Sequence, residues 1–394
     1  MDTWVVIALL LSIIVVAIGA TLVMRRGAGG PAGSGAEPEI DESTLPRAAV
    51  VVNPSKFDDV ESVREAVTAQ CRAQNWAAPL WLETTVDDPG AGQAREALEA
   101  GVEVVCALGG DGTVRAVASE LVGKNVPLGL LPGGTGNLLA RNLDLPIDSL
   151  AAAVAIALDG QDKTIDVGKA RFELIEDDDE RWEDDPGHDA PPPNPRKSMV
   201  REPLPSHTVE AYFLVMAGLG FDASMIADAP EKLKSQIGYG AYVVSGLRHL
   251  YGARFDVHTS VDGGPRNKRK ARTVLFANVG GLQGGITLMP AAADDGKLDA
   301  MILSPRALVG WASVAIHVLS RHRRGSALVD RVRFERMQLR LTDPQHMQLD
   351  GDAVGRTRAV DVSVVPGALV VRTGLPKSQA KIAGPEAVAS ESEG

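Results

Sequence analysis

Short apolar runs alternate with amphipathic segments over the first half of the chain. The runs AAVVVNP from Ala48 and PLWLETT from Pro79 predict buried strands. The segment from about Asp59 to Gln74 and the run GQAREALEA predict helices, and the runs VVCAL and PLGLL predict two further strands. Strands that alternate with helices of this length indicate βαβ crossovers, so we predict an α/β domain with a parallel sheet.

The pattern changes after an alanine-rich helix predicted from Leu150 to Leu158. Strand-like runs then follow one another through short polar connections, which predicts a β-rich, mainly antiparallel second domain. Helices are predicted only at PEKLKSQIGYGAYVVSGLRHL and RALVGWASVAIHVLS. The strand-like runs are KTIDVGKARFELI, HTVEAYFLVMAGLGFDA, ARFDVHTSVDGG, KARTVLFANVG, LDAMILS, VRFERMQLRLTD and AVDVSVVPGALVVRT.

The N-terminal region contains an uncharged run from Trp4 to Val23. Its length is close to the ~20 residues that span a bilayer core, and Arg25 and Arg26 follow it directly. Because basic residues stay on the cytoplasmic side, this predicts a single-pass cell-membrane protein with the rest of the chain in the cytoplasm. A cleaved signal peptide is the alternative, but the basic n-region and the shorter apolar core are missing.

Composition divides the chain into five parts. We predict a transmembrane anchor (1–26), a flexible linker (27–46), the α/β domain (47–160), the β-rich domain (161–376) and a tail (377–394). Within the β-rich domain, residues 176–206 are rich in acidic residues and proline and predict a disordered insertion.

Most of the formal net charge of −11 comes from a short segment that overlaps this insertion. Ten acidic residues and one arginine lie between Glu173 and Ala190, so the total does not exclude an acidic partner. Basic clusters at 266–270 and 321–324 either face an anionic leaflet or are ordinary solvated surface.

Aromatic residues make up only 4% of the chain, so we expect no nucleic-acid partner. The two cysteines, Cys71 and Cys106, indicate neither a disulfide framework nor a zinc site.

Two glycine-rich turns, Gly109–Thr113 and Pro132–Asn137, each lie between a predicted strand and a predicted helix. Such turns present free backbone N–H groups, and glycine lets a phosphate approach them closely. The pair therefore indicates a polyphosphate site, although neither turn is a Walker P-loop and a single turn of this kind is usually only structural. Asp111 inside the first turn would require Mg²⁺ or a basic partner.

Further polar residues lie where the same sheet is expected to bind a ligand. Asn53, Thr84, Thr85, Gly110 and Thr135 all follow predicted strands, and ligands bind at the carboxyl ends of parallel strands. We therefore predict one shared site.

Two acidic turns occur in the second half. Asp350 and Asp352 lie on a tight Asp-Gly-Asp turn, which is either a plain hairpin or a source of carboxylates in a cleft. Asp294, Asp295 and Asp299 form either a metal-binding loop or an ordinary turn.

Together these motifs resemble one family. The GGDGT turn, the following PGGTGNLLARNL, the Asn278–Gly281 turn, the DDGKLD run and the late LDGD are similar to the diacylglycerol kinase catalytic domain family. The resemblance is to the bacterial lipid kinases that are related to sphingosine and ceramide kinases. It covers roughly Ala48 to Thr373 without the acidic insertion, and it implies a phosphofructokinase- or NAD-kinase-like first domain.

The resemblance implies a role for individual residues. Asp352 falls where the family commonly has a glutamate as proton acceptor, and Asp350 and Asp111 are further catalytic candidates. Asp295, aided by backbone carbonyls near Ala292 and Lys297, matches a structural Mg²⁺ site. The residues that match nucleotide-binding positions are Asn53, Pro54, Ser55, Lys56, Thr84 or Thr85, Gly109, Gly110, Asp111, Gly112, Thr113, Gly134, Thr135, Asn137 and Arg141.

The chain departs from the family at two positions. Leu138 stands where many relatives have an aspartate that supports the magnesium and water network. Asp352 is one methylene shorter than the usual glutamate, which changes its reach to a substrate hydroxyl.

The implied activity is an ATP- and Mg²⁺-dependent lipid kinase whose first candidate reaction converts diacylglycerol to phosphatidic acid. The alternatives are a kinase of sphingoid bases, ceramide or another lipid alcohol, then an NAD kinase. A non-catalytic membrane protein that senses nucleotide or lipid is the alternative from another class.

Overall fold

The computed structural model describes residues 42–175, 206–220, 254–282, 287–305 and 329–374. The described residues from Ser43 onward belong to one compact unit. Several predicted segments lie outside the described residues: the anchor, most of the linker, the insertion up to residue 205, the helices at 230–250 and 306–320, the basic cluster 321–324 and the tail.

The first half of the fold alternates strands and helices, as the pattern predicts. The helix Val60–Ala73 begins at an Asp59 cap whose side chain accepts a hydrogen bond from Ser62 N (3.0 Å), and the helix Leu150–Asp159 has an equivalent cap at Ser149. The strands are β1 (Ala48–Val52), β2 (Leu80–Glu83), β3 (Val104–Gly109) and β4 (Leu128–Pro132). The helices are α1 (Val60–Ala73), α2 (Ala91–Glu99), α3 (Asp111–Leu121), α4 (Leu138–Asn142) and α5 (Leu150–Asp159).

The four strands form a parallel sheet in the order β4-β3-β1-β2, with helices on both faces. Side chains of β1 alternate between the faces: Ala49 and Val51 pack with α2 and α3, while Val50 and Val52 pack with α1 and α5. All of β1 is buried, because both faces are covered, and this explains its uninterrupted apolar sequence.

The second half is β-rich and mainly antiparallel. A core of aromatic and aliphatic side chains fills it, including an edge-to-face contact between Phe276 and Phe334 with ring centroids 6.0 Å apart. The strands are β5 (Gln161–Ile175), β6 (Ser206–Phe213), β7 (Met216–Leu219), β8 (Phe255–Val261), β9 (Asn267–Ala271), β10 (Thr273–Ala277), β11 (Leu298–Leu303), β12 (Val329–Phe334), β13 (Arg336–Leu349) and β14 (Asp352–Thr373).

Strand β14 connects the two halves. It pairs antiparallel with β13 and β5, and near its end Val371 pairs in parallel with Leu128 of β4. The result is one mixed sheet that runs through an α/β domain and a β-rich domain. The sequence predicted both kinds of domain but not that a single strand would join their sheets.

The predicted single-pass membrane localisation needs correction. Within the described ranges no helix is long and apolar enough to cross a membrane. The longest helix there, α1, has 14 residues, which corresponds to about 21 Å and falls short of the ~30 Å hydrocarbon core. The structure thus contradicts the localisation, and the segment on which the prediction depended, Trp4–Val23, lies outside the described residues.

Candidate active site

The carboxyl ends of the four parallel strands meet at one edge of the sheet. Val52 pairs with Glu83 on one side and with Leu108 on the other, and Gly109 pairs with Pro132. The residues that follow these strands, which include most of the predicted nucleotide-binding positions, therefore lie side by side at that edge.

The two glycine turns contact each other through their backbones. A Cβ atom at Gly133 would lie 2.9 Å from the backbone nitrogen of Gly109, and one at Gly134 would lie 2.7 Å from Cα of Gly110. Both distances are too short for a side chain, so these positions require glycine. At Gly110 a Cβ would meet only the Lys56 side chain within 4 Å, at 3.9 Å, so there is space beside this residue. The turns thus form an open backbone cradle beside a lysine, which suits an anion.

The loop after β1 places that lysine. The Asn53 side chain accepts hydrogen bonds from the backbone nitrogen (3.1 Å) and the hydroxyl (2.7 Å) of Ser55. This caps the short 3₁₀ turn Pro54–Lys56 and leaves Lys56 exposed next to Gly110.

The two predicted threonines after β2 differ in their surroundings. Thr84 is buried, and its backbone nitrogen donates to Val52 O at 2.9 Å. Thr85 is exposed, and its hydroxyl accepts a hydrogen bond from Asp88 N at 3.0 Å. Asp88 then caps α2 through the backbone nitrogens of Gly90 and Gly92.

Asp111 lies in the first glycine turn, and its side chain bonds to the residue that follows the second turn. Its Oδ1 atom accepts a hydrogen bond of 2.7 Å from the backbone nitrogen of Leu138, the first residue of α4. Burial raises the pKa of Asp111, backbone N–H groups of Leu138 and Asn137 lower it, and the charge of Asp352 raises it; the pKa ends above its usual range. The Asp111 and Asp352 carboxyl groups are therefore close enough to influence each other.

Side chains within the second turn hold its shape. Asn137 adopts a left-handed conformation (φ 48°), and its amide nitrogen donates to Gly134 O at 2.8 Å. Arg141 Nε donates to Gly136 O at 2.8 Å. Thr135 is exposed, whereas Thr113 of the first turn is buried with its side chain against Gly109.

The Asp-Gly-Asp turn between β13 and β14 separates its two carboxylates. Asp350 is buried and accepts hydrogen bonds of 2.8 to 2.9 Å from the backbone nitrogens of Leu214, Val215 and Met216. Burial raises the pKa of Asp350 to about 6, although the three N–H groups lower it. Asp350 therefore anchors the turn to the start of β7.

Asp352, by contrast, reaches the α/β domain. Its side chain is 51% exposed, and its Oδ2 atom accepts a hydrogen bond of 2.6 Å from Arg115 of α3. The same oxygen lies over Gly112, where a Cβ would be only 2.9 Å away. Of the two candidate carboxylates on this turn, Asp352 is the one that faces the glycine turns.

The predicted metal loop is held by other contacts. Asp295 forms an ion pair with Arg333, and its Oδ1 atom accepts a hydrogen bond from Lys297 N at 3.0 Å. A guanidinium on this carboxylate competes with a cation for the same oxygens. Across the parts of the chain that the structure describes, no group of three or more His, Cys, Asp or Glu side chains could hold a metal.

Sequence reasoning missed three residues around the site. Asp166 fixes the Asp-Asp-Gly loop, because its carboxylate accepts from Gly296 N (2.7 Å) and Gly367 N (2.8 Å). Asn142 at the end of α4 bonds both backbone groups of Gly281 (2.9 Å each), which ties α4 to the β-rich domain. Arg115 lies one helical turn after Asp111, and this i, i+4 spacing is the one signal that could have indicated it.

The predicted basic cluster on β9 is largely paired. Lys268 and Lys270 both contact Asp256, at 3.3 and 3.0 Å, and Arg269 pairs with Asp330. These acidic partners reduce the positive charge that the cluster could offer to an anionic surface.

Comparison with known proteins relates this chain to one family. Residues 47–170 match the family model described as the diacylglycerol kinase catalytic domain. Residues 214–373 match the YegS C-terminal NAD kinase beta sandwich-like domain. A Pseudomonas aeruginosa protein named "Probable lipid kinase YegS-like" is 30% identical over 320 residues, which cover 79% of this chain and 89% of that protein. The chain belongs to the diacylglycerol kinase catalytic domain family. The resemblance inferred from the motifs is thereby confirmed.

Two further comparisons concern a second named relative and a solved structure. A Bacillus subtilis protein named diacylglycerol kinase is 24% identical over 320 residues, which cover 79% of this chain and 91% of that protein. A crystal structure of a diacylglycerol kinase from Bacillus anthracis superposes with a TM-score of 0.57 at 17% identity, covering 84% of this chain and 98% of that one. This likeness concerns the fold: a mixed sheet with an α/β domain and a β-rich domain. Membership in a lipid kinase family implies a lipid substrate and the use of ATP.

Proposed function

We propose that this protein is an ATP- and Mg²⁺-dependent lipid kinase that phosphorylates a lipid hydroxyl, with diacylglycerol as the first substrate and phosphatidic acid as the product. One observation carries the proposal. Asp352 of the β-rich domain lies directly over Gly112 at the start of α3, next to the backbone cradle of the α/β domain. A carboxylate beside a phosphate site is the arrangement that phosphoryl transfer to a hydroxyl requires.

The glycine turns would bind the phosphates of ATP. Gly109, Gly110, Gly133 and Gly134 pack backbone against backbone, at a distance that leaves no room for side chains at Gly133 and Gly134. Lys56 lies beside Gly110 and would add a positive charge.

Asp111 is the acidic group beside the cradle that fits Mg²⁺, since its Oδ1 atom accepts from Leu138 N and this ion takes one or two carboxylates together with substrate phosphates. When bound, Mg²⁺ would neutralise charge on the transferred phosphate. The Asp295 loop, with Ala292 and Lys297, remains a predicted structural Mg²⁺ site, although the Arg333 ion pair makes it the weaker candidate.

Asp352 would take the proton of the attacking hydroxyl. The lipid oxygen forms a bond to the γ-phosphorus, the bond between that phosphorus and the β,γ-bridging oxygen breaks, and ADP leaves. The hydroxyl proton moves to the Asp352 carboxylate. Asp350 does not fit this role, because both of its oxygens accept backbone hydrogen bonds. It would act by holding the turn.

Diacylglycerol is the first candidate because the Bacillus subtilis relative carries the name diacylglycerol kinase. Purified protein with labelled ATP and Mg²⁺ should be offered diacylglycerol, ceramide, sphingosine, an undecaprenol-type alcohol and NAD. We expect labelled phosphatidic acid. Labelling of another lipid would change the substrate, labelling of NAD would favour an NAD kinase, and ATP binding without any transfer would favour a non-catalytic sensor.

A methyl group at Gly134 should weaken ATP binding. In Gly134→Ala the new Cβ would lie 2.7 Å from Cα of Gly110, so one glycine turn must move away from the other. Overpacking of this kind costs about 1–3 kcal/mol, which corresponds to a roughly 5- to 160-fold higher Kd for the Mg²⁺ complex of a non-hydrolysable ATP analogue, measured by calorimetry.

Gly101→Ala is the matched control. It also replaces a glycine by alanine, at φ +69°, and its Cβ would have no neighbour within 4 Å. This variant should lose some thermal stability but bind the analogue normally. A wild-type Kd for Gly134→Ala would contradict the phosphate cradle.

A further inference from the structure

Arg115 of the α/β domain contacts the Asp-Gly-Asp turn. It follows Asp111 by four positions on α3, so the two side chains share one face of the helix. Its Nη2 atom donates to Asp352 Oδ2 at 2.6 Å, and its side chain is only 19% exposed. A charge-assisted hydrogen bond in a partly desolvated place is stronger than one on the open surface.

Among the described residues, Asp352 is the hydrogen-bond partner of the guanidinium. Its Nε atom is buried without a hydrogen-bond partner there, so Asp352 supplies the polar contact that fixes its orientation. The contact also spans 237 positions of the chain and joins α3 to the first residue of β14. No local sequence preference would produce it.

Asp352 needs such a partner for two physical reasons. Its side chain is half exposed. The residue before it, Gly351, has a positive φ (95°) and no side chain against which Asp352 could pack. The Asp352 carboxylate also lies over Gly112, the residue next to Asp111, and like charges at short range repel. A cation on the same helix face as Asp111 offsets this repulsion and draws Asp352 over Gly112.

We propose that Arg115 is a positioning residue that holds the Asp352 carboxylate over the first turn of α3, where it can meet the acceptor hydroxyl. The inference rests on the proposed function, because Asp352 is the proton acceptor there. Arg115 acts through Asp352 and not on the phosphates of ATP. The short aspartate reaches the glycine turns because Gly112 has no side chain and because Arg115 holds it there.

The test compares Arg115→Gln, Arg115→Lys, Asp352→Asn and the double variant Arg115→Gln/Asp352→Asn. A misplacement of about 1 Å can lower a rate by about 100-fold. We therefore expect Arg115→Gln to lower kcat about 10- to 100-fold with the KM for ATP unchanged, and Arg115→Lys to restore part of the loss. The double variant should be no slower than Asp352→Asn alone, since the arginine acts only through that carboxylate.

Arg95→Gln is the matched control. It breaks another arginine–carboxylate pair that involves α3, with Glu120 at 2.8 Å, but on the exposed surface. This variant should keep its kcat. Multiplicative losses in the double variant would overturn the proposal, and so would a raised KM for ATP with an unchanged kcat, which would mean that Arg115 binds the nucleotide.

A crystal structure of Arg115→Gln separates this inference from the proposed function. We expect the Asp352 carboxylate to leave Gly112 in that variant. If it stays in place, the inference fails even when the wild-type protein is an active kinase. If the wild-type protein transfers no phosphate, the proposed function fails, and the position of Asp352 in the two structures still decides whether Arg115 holds it.

Discussion

Replacing Asp352 with asparagine should lower kcat for phosphoryl transfer by about 10²- to 10⁴-fold, the range that a general base typically contributes. Asparagine has nearly the shape of aspartate and its carbonyl oxygen can still accept from Arg115, but it cannot take a proton. ATP binding should be unchanged, because the phosphate cradle is built from the glycine turns. Initial rates with labelled ATP and calorimetry with an ATP analogue measure the two effects separately.

Two further variants make this result specific. Asp361→Asn makes the same change on the same strand, at a residue that pairs with Arg336, and it should leave kcat unaltered. Asp352→Glu introduces the residue that the family commonly has and should keep substantial activity. If Asp352→Asn retained more than about half of the wild-type rate, another group would have to accept the proton.

The parts of the fold that depend on local patterns were predictable. The apolar runs of β1, β3 and β4 follow from the sequence pattern, because these strands are short and buried on both faces, and the intervening helices follow from periodicity. The meeting of strand ends at one edge follows from the parallel arrangement. Family membership followed from the glycine turns together with the late Asp-Gly-Asp.

The different environments of the Asp350 and Asp352 side chains could not be predicted from the sequence. Residues two apart on a regular strand would face the same way. Here Asp350 has a positive φ (49°) and Gly351 another (95°), so the turn breaks that alternation. The partners of Asp350 are also backbone N–H groups at least 134 positions away, which no side-chain pattern reveals.

The same limitation affected Asp111 and Asp295. A carboxylate inside a glycine turn suggested a metal or a basic side chain, and the sequence did not reveal that Asp111 also accepts a hydrogen bond from the backbone nitrogen of Leu138. Leu138 thus contributes its N–H at the position where many relatives have an aspartate side chain. The partner of Asp295, Arg333, lies on a different strand. Each of these contacts depends on tertiary structure, whereas the motif itself is local.

Replacing Asp350 with alanine should destabilise the fold strongly. The backbone N–H groups of Leu214, Val215 and Met216 would lose their acceptor in a buried place, and each unsatisfied donor costs about 1–3 kcal/mol. Alanine also adopts the left-handed conformation of this residue less readily than aspartate. We expect the free energy of unfolding, measured by urea titration, to fall by about 3 kcal/mol or more.

Asp350→Asn tests the same contact more gently, because asparagine tolerates a positive φ and keeps one acceptor oxygen. It should lose less stability than Asp350→Ala.

Asp350→Asn should also change the pH dependence of the free energy of unfolding. Burial raises the pKa of Asp350 from 3.8 to about 6, so between these values the folded protein binds more protons than the unfolded chain. The contribution of Asp350 to stability is therefore greatest below about pH 4 and is lost as the pH rises to about 6, and this loss should be absent in Asp350→Asn. Equal stability of Asp350→Ala and the wild-type protein would mean that the three N–H groups find other acceptors, and Asp350 would not be the anchor that presents Asp352 to the glycine turns.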